Sequence, residues 1–287
     1  MKRIDLHVHS SRSDGTMSPR ELVRHAAACG LSAFALTDHD NTEGLAEASQ
    51  EAAVCSIELI PGIEFSTEYH GTDIHIVGLD FDWKHPAFQE RVTYYQNERL
   101  RRNQKMIDKM AADAIDISYE KMVEAFGETV WTRAHFARYL ADHHYVKEIK
   151  DAFSTYIGDD CKYFIPRQKV TPAEVVELIR TFGGIPVLAH PFQYRFSDCE
   201  LRTLITALKE KGLLGIEVYY STHNNEQEAY LLSLAKEFLL LPSGGSDFHG
   251  ENKPDIFLGS GKGNLQIPYS ILTNLRKALQ EDRYEVP

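Results

Sequence analysis

The sequence predicts an α/β fold: seven strands in a mostly parallel sheet, interrupted by one helical insertion. Three observations predict it. Apolar runs of strand length recur along the 287 residues and alternate with segments that carry helix-capping signals. The alternation breaks once, over residues 85–167, where polar helical patterns run on without a convincing strand. The length suits one large α/β domain or two smaller ones, with a sizeable core. This many strand–helix units fits a closed barrel or a doubly wound sheet.

Residues 3–9 form the first strand, with Ile4, Leu6 and Val8 alternating with Asp5, His7 and His9. Ser18-Pro19 followed by Glu21 supplies an N-cap, a proline at N1 and a capping box for a helix that Gly30 ends. SAFALTD (32–38) is the second strand. Its large residues Phe34 and Leu36 share a face suited to packing on helices, while Ala33, Ala35, Thr37 and His39 share the other. IELIPGIEFS (57–66) and TDIHIVGLD (72–80) are the third and fourth strands. The insertion follows, with helical segments in NERLRRNQKMIDKMAADA, YEKMVEAF and RAHFARYLADHH. Thr171-Pro172 with Glu174 repeats the capping device, and Gly183-Gly184 closes that helix. IPVLAH (185–190), LGIEVYY (214–220) and FLLLPSGGSD (238–247) complete the strands, and NNEQEAYLLSLAKEFL and PYSILTNLRKALQED read as helices. Residues 1–84 and 168–287 are expected to form the sheet domain, and 85–167 a helical cap inserted between its fourth and fifth strands.

Composition narrows the function. The chain is 43% hydrophobic and 25% charged, as soluble globular proteins are. No apolar stretch approaches the roughly 20 residues that span a bilayer, and no signal peptide is visible. Cys29, Cys55, Cys161 and Cys199 are scattered without a C-x-x-C spacing, so neither a disulfide framework nor a zinc ribbon is indicated and a cytoplasmic location is expected. A net charge of -11 argues against tight tracking of long nucleic acid. A small anionic substrate remains open if the site itself is positive. No membrane or protein partner is implied. There is no G-x-S-x-G elbow, and GSGKGN (259–264) lacks phosphate-loop spacing and reads as a surface turn.

The strand ends carry the chemistry. The first ends in His7 and His9, the second in Asp38-His39-Asp40, and the third in Glu64. The fourth contains His75, the fifth ends at His190, and the last at Asp247 and His249. In barrels of parallel strands the active site lies at the carboxyl ends. One such residue is ordinary punctuation where a loop begins; six strands each placing a metal-ligand type there form a constellation. Mixed nitrogen and oxygen donors suit Zn, Mn or Fe, and six histidines exceed what one ion needs. Closely spaced divalent ions suit phosphoester hydrolysis: they neutralise phosphoryl oxygens, activate a water and stabilise the leaving alkoxide.

DLHVHS, SDG, TDHD, GIE, IHIVG, AHP and SDFH, in this order, resemble the PHP (polymerase and histidinol phosphatase) family of metal-dependent phosphoesterases. The resemblance covers residues 1–82 and about 168–260. It implies a distorted seven-stranded (β/α) barrel, TIM-like, with a trinuclear metal centre. Carried over by motif, His7, His9, Glu64 and Asp247 would hold one ion. Glu64 would bridge to a second, shared with His75 and His190. Asp14, His39 and His249 would hold a third. Glu64, Asp14 and His39 are the candidate catalytic residues of that centre. Three divalent ions with Asp14, Glu64 and Asp247 would make the mouth about +3 by formal count. Asp14 stands where histidinol phosphatase-like members carry a histidine, which departs from that activity. The insertion, with TRAHFARYL and YFIPR, resembles the subgroup acting on nucleoside 3′,5′-bisphosphates and short 5′-phosphorylated oligonucleotides. The expected activity is removal of the 3′-phosphate from a nucleoside 3′,5′-bisphosphate. The alternatives are a 5′-to-3′ exonuclease on short oligonucleotides and a non-catalytic metal-binding module.

A bisphosphate needs a second cationic site, and arginine forks suit phosphate. Arg133, His135, Lys162 and Arg167 in or beside the insertion are the candidates. His223, after the sixth strand, is a candidate substrate contact or general acid, with a solvated loop histidine as the plainer reading. The ERLRR run from Glu98 to Arg102 reads as a solvated helix face that at most steers anions. Asp38 and Asp40 either orient an imidazole or cap a helix, and Glu217 reads as a buried structural partner. His25, His70, His85, His143 and His144 read as surface residues.

Overall fold

The computed structural model describes residues 2–158, 160–166 and 170–284. In chain order these form β1 (Ile4–Val8), α1 (Pro19–Ala28), β2 (Ala33–Leu36), α2 (Gly44–Cys55), β3 (Glu58–Tyr69), β4 (Thr72–Leu79), α3 (Pro86–Ala112), α4 (Tyr119–Phe126), α5 (Arg133–Asp142) and α6 (Ile149–Ala152). After a π-helical turn at Phe153–Ile157 come α7 (Pro172–Thr181), β5 (Ile185–Leu188), α8 (Asp198–Glu210), β6 (Gly215–Tyr220), α9 (Asn225–Glu237), β7 (Leu241–Gly245) and α10 (Ser270–Tyr284). The capping boxes expected at Ser18/Glu21 and Thr171/Glu174 both form.

The strands lie side by side in sequence order. All neighbouring pairs are parallel except β3–β4 and β4–β5, so β4 alone runs against the rest. β7 returns to β1: the Asp247 N–H donates to the His7 carbonyl at 2.8 Å, and the His9 N–H to the Phe248 carbonyl at 3.0 Å. The seam is tight because Gly245 has no side chain; a Cβ there would lie 2.3 Å from the Cβ of His7. The result is a distorted, nearly closed seven-stranded barrel.

Side-chain parity sorts the core. Phe34 and Leu36 pack with Leu22, Val23 and Leu45 of α1 and α2. Ala33 and Ala35 face the barrel interior with Ile4, Leu6, Ile60 and Val187, and Leu272, Leu275 and Leu279 of α10 join this cluster. The simple alternation expected along residues 3–9 does not hold. The β1–β2 register shifts between Asp5 and Val8. Ile4 and Leu6 belong to the interior cluster, whereas Val8 belongs to the α1/α2 cluster. The irregularity turns His7 and His9 into the mouth.

The insertion hangs on α3, about 40 Å long at 1.5 Å per residue. Phe88, Val92 and Tyr95 join the core around β3, β4 and α7–α9. Met106, Ile107 and Met110, further along the same helix, join a separate core with Trp131, Phe136 and Leu140. Among the described residues, no helix is long and apolar enough to cross a membrane.

Candidate metal centre

Glu64 lies at the middle of the mouth. Its Oε2 lies 3.2 Å from His7 Nε2, 3.2 Å from His9 Nε2 and 3.1 Å from His39 Nδ1. Its Oε1 lies 2.8 Å from His75 Nδ1 and 3.0 Å from His190 Nε2. Asp247 Oδ1 approaches His9 Nε2 at 3.3 Å and His7 Nε2 at 3.7 Å. Asp14 meets His249 Nε2 at 3.2 Å and His39 Nε2 at 3.7 Å. The structure therefore brings all nine expected positions together. They form overlapping donor groups: His7–His9–Asp247, His7–Glu64–His190, His39–Glu64–His75 and His9–Asp14–His39–His249, with the donor atoms of each within 4.8 Å of one another.

The electrostatics are those of a cation site. Burial alone would raise the Glu64 carboxyl, but His39, His7 and His75 outweigh it and hold it well below the usual range. Burial opposes ionisation of Asp14 too, and His249 and His39 prevail. Burial pulls the His9 imidazole down, yet the neighbouring carboxylates of Asp247 and Glu64 push it up to about 9. His7 Nε2, both nitrogens of His9, His39 Nδ1 and Asp14 Oδ1 are buried without a hydrogen-bond partner. Buried polar atoms are rarely left so, and a divalent cation would satisfy them. The residues fit a metal. His190 and Asp247 carry positive φ, 25° and 57°, conformations that cost a non-glycine residue energy and cluster at functional sites.

A cavity of about 400 Å³ opens onto this cluster. Asp14, His39, His75 and His249 line it below; Arg99, Arg102, Thr132 and Arg133 line it from the insertion. Among the expected substrate contacts, Arg133 is there, its Nη2 2.9 Å from Asp73. Lys162 is not; it is exposed and pairs with Asp113. His135 caps α5, its Nδ1 accepting the Thr132 N–H at 3.0 Å, and it faces a smaller hollow behind Asp14. Burial, opposed by Asp14, lowers its imidazole to about 4. Arg167 lies outside the described residues.

The Glu98–Arg102 run is not a solvated face: Arg101 is 71% exposed, but Arg99 and Arg102 are 3% and 4% exposed. Arg99 Nε donates to Asp40 Oδ2 at 2.9 Å, and the helix turns both arginines toward the mouth. His223 is not a solvated loop residue either. It is buried, its Nδ1 2.8 Å from the Val218 carbonyl and its ring 5.1 Å from that of Tyr220. Lys253, which the sequence did not single out, pairs with Asp247 Oδ2 and lines the cavity.

A model of the PHP domain matches residues 5–159. The chain belongs to the PHP domain family. It is 38% identical over 248 residues to a 5′-3′ exoribonuclease of Haemophilus influenzae, covering 86% of this chain and 90% of that one. It is 34% identical over 259 residues to a 3′,5′-nucleoside bisphosphate phosphatase of Chromobacterium violaceum, covering 89% and 91%. A solved structure from Chromobacterium violaceum, described as an amidohydrolase with bound sulfate and no metal, superposes with a TM-score of 0.85 at 32% identity, covering 96% of each chain.

In this PHP barrel the donors are held by further buried groups. Glu217 accepts at Oε2 from the His190 N–H at 2.8 Å, and its Oε1 lies 3.0 Å from His7 Nδ1, so one carboxylate orients two histidines. Tyr220 donates to Asp247 Oδ2 at 2.6 Å. Asp38 accepts from Ser10 N–H, Ser10 Oγ and Ser13 Oγ at 2.6–2.8 Å, fixing the loop that presents Asp14. Asp5 ties β1 to β7 through Ser246 N–H and to the 259–264 turn through Gly259 N–H, both at 2.8 Å. That turn is thus anchored to the barrel.

Proposed function

We propose that this PHP chain removes the 3′-phosphate from nucleoside 3′,5′-bisphosphates, such as that of adenosine to give AMP. The observation that carries the reading is the cavity, with a histidine–carboxylate cluster on one side and Arg102 and Arg133 on the other. The cluster suits the reacting phosphoryl group. The arginines suit a second phosphate that does not react.

The donor set suits Mn, Zn or Fe, three ions per chain, with Glu64 shared between donor groups. Bound there, the ions would neutralise the phosphoryl oxygens, activate water and stabilise the leaving 3′-oxygen. The chain's own residues do the rest. Arg102 and Arg133 grip the 5′-phosphate and set the 3′-phosphoryl over the cluster. Glu217, Tyr220 and Asp38 fix the donors before substrate arrives. The insertion, residues 85–167, acts as the cap that covers the mouth and supplies both arginines.

The second reading is a 5′-to-3′ exonuclease on short 5′-phosphorylated oligonucleotides, favoured by the identity to the Haemophilus influenzae enzyme. Both reactions break the same bond to a 3′-oxygen beside the same 5′-phosphate. The test is Mn-loaded protein with adenosine 3′,5′-bisphosphate, a 5′-phosphorylated oligonucleotide and a small aryl phosphate, against a chelated control. Metal-dependent release of AMP from the bisphosphate supports the reading. Faster turnover of the aryl phosphate, or no turnover of any, overturns it.

A further inference from the structure

Besides the arginines, the cavity has a wall of Gln193, Tyr220 and Thr222. On the function proposed above, a nucleotide with its 5′-phosphate at Arg102 and Arg133 directs whatever is esterified to its 3′-phosphoryl toward that wall. In a mononucleoside bisphosphate nothing is attached there. In an oligonucleotide the next nucleotide is.

Beyond Gln193 lies a second hollow of about 330 Å³, lined by Phe192, Arg195, Phe196, Leu201 and Tyr230. The turn directly after His190 divides the two: Gln193 faces the mouth, and Phe192 and Arg195 face the outer hollow. Phe192 is 36% exposed, yet it is braced. Its ring stands 5.4 Å from His223, at 80°, and 5.9 Å from Tyr230. His223 is itself fixed on the Val218 carbonyl. Arg195 is exposed, with a left-handed backbone (φ 55°), and no ion pair or hydrogen bond of its side chain is found among the described residues. Of the two carboxylates in this hollow, Asp198 is engaged by Arg202 and by the Tyr230 hydroxyl; Glu226 stands in the first turn of α9. A braced aromatic face beside a cation that no described group neutralises is what a single strand requires, one for the base and one for the backbone.

We propose that Phe192 and Arg195 form a subsite for the nucleotide on the 3′ side of the scissile phosphoryl group, with its base on Phe192 and its own 3′-phosphodiester at Arg195. In the step served, water adds to phosphorus and the bond to the first nucleotide's 3′-oxygen breaks. That oxygen takes the proton, and the phosphoryl group stays on the 5′-oxygen of the second nucleotide. The subsite makes this chain able to process short oligonucleotides as well as bisphosphates.

The test compares wild type with Phe192→Ala, Phe192→Trp and Arg195→Ala in the metal-loaded protein, using a 5′-phosphorylated trinucleotide and adenosine 3′,5′-bisphosphate. Phe192→Ala should lower kcat/KM for the trinucleotide by roughly 5- to 150-fold, mainly through KM, as for a lost base stack. Phe192→Trp should restore it. Arg195→Ala should lower it too and flatten its salt dependence by about one phosphate contact. All three should hydrolyse the bisphosphate like wild type. Equal losses on both substrates, or none on the trinucleotide, overturn the subsite. So does a wild type that cleaves the bisphosphate and not the trinucleotide. A wild type that cleaves neither overturns the parent function, and the subsite with it.

Discussion

Glu64→Gln is the sharpest perturbation of the cluster. The side chain is buried and the substitution isosteric, so packing is preserved and the change is one of charge and donor type. Five imidazole nitrogens lie within 2.8–3.2 Å of its two oxygens. Oε1 lies nearest His75 and His190 and Oε2 nearest His7, His9 and His39, and the carboxylate belongs to two donor groups, His7–Glu64–His190 and His39–Glu64–His75. An amide turns one of these acceptors into a donor aimed at nitrogens that would hold metal. Losing a group that merely orients a ligand typically costs 10- to 100-fold in metal affinity. Losing a ligand shared by two ions should cost at least that for each, roughly 100- to 10,000-fold jointly. The assay is metal content per chain by elemental analysis after dialysis, with turnover of the bisphosphate on the same sample and a thermal melt as the folding control. Glu64→Gln should lose more than one metal equivalent and most activity, and more of both than His249→Ala, which touches one donor group. A Glu64→Gln protein that keeps wild-type metal content and turnover would refute the shared-ligand reasoning.

The arginine wall predicts a substrate-selective defect. Arg102→Ala or Arg133→Ala should lower kcat/KM for the bisphosphate by about 10- to 150-fold, as for a lost hydrogen bond to a charged group, while hydrolysis of a small aryl phosphate is hardly changed; equal losses on both would show that neither arginine reads the second phosphate. His9, pushed up to about 9, predicts proton release on metal binding. At pH 8 the metal-free protein holds a proton there that an ordinary imidazole would have lost, and a ligand must give it up. Metal titrations in buffers of different ionisation enthalpy should show about one proton or more released at pH 8, with affinity falling about tenfold per pH unit below 9 for each proton displaced. Release near zero would contradict the raised imidazole.

How far the fold was legible depends on what each element answers to. The strands were legible because parity and length are local: Phe34 and Leu36 against Ala33 and Ala35 already state which face meets helices. The helix starts at Ser18 and Thr171 were legible because a capping box is written in four consecutive residues. The cluster was legible because a barrel gathers its strand ends at one mouth. Arg99 and Arg102 were not. A charged helix face and a buried one look alike until the partner surface is known, and here the partner is Asp40, 59 residues away. His135 illustrates a nearer miss. Thr132-x-x-His135 occupies the capping-box positions with histidine where glutamate is usual, so the signal is as local as at Ser18 but written in a less familiar residue.

The inserted helices and the histidine–carboxylate cluster are tied together by hydrogen bonds, which bears on how a protein of net charge -11 would take the anionic substrate proposed above. Thr132, the N-cap of α5, donates to Asp14 Oδ2 at 2.8 Å, while Asp14 Oδ1 meets His249. Arg99 on α3 holds Asp40, the residue after His39, and donates to Ser66, two residues beyond Glu64. The insertion therefore does not simply sit over the mouth. It hydrogen-bonds one of the cluster's carboxylates and braces the segments that carry two of its other donors. Lifting it would expose Asp14 without its Thr132 partner, separate buried Arg99 from Asp40, and withdraw Arg102 and Arg133 at the same time. Each of those losses makes the mouth more negative or less ordered. The arginine lining of the mouth is thus a property of this arrangement, produced where the barrel meets Arg99 and Arg102 of α3 and Arg133 of α5. That is why the surface charge, read from composition alone, says so little about what the site can bind.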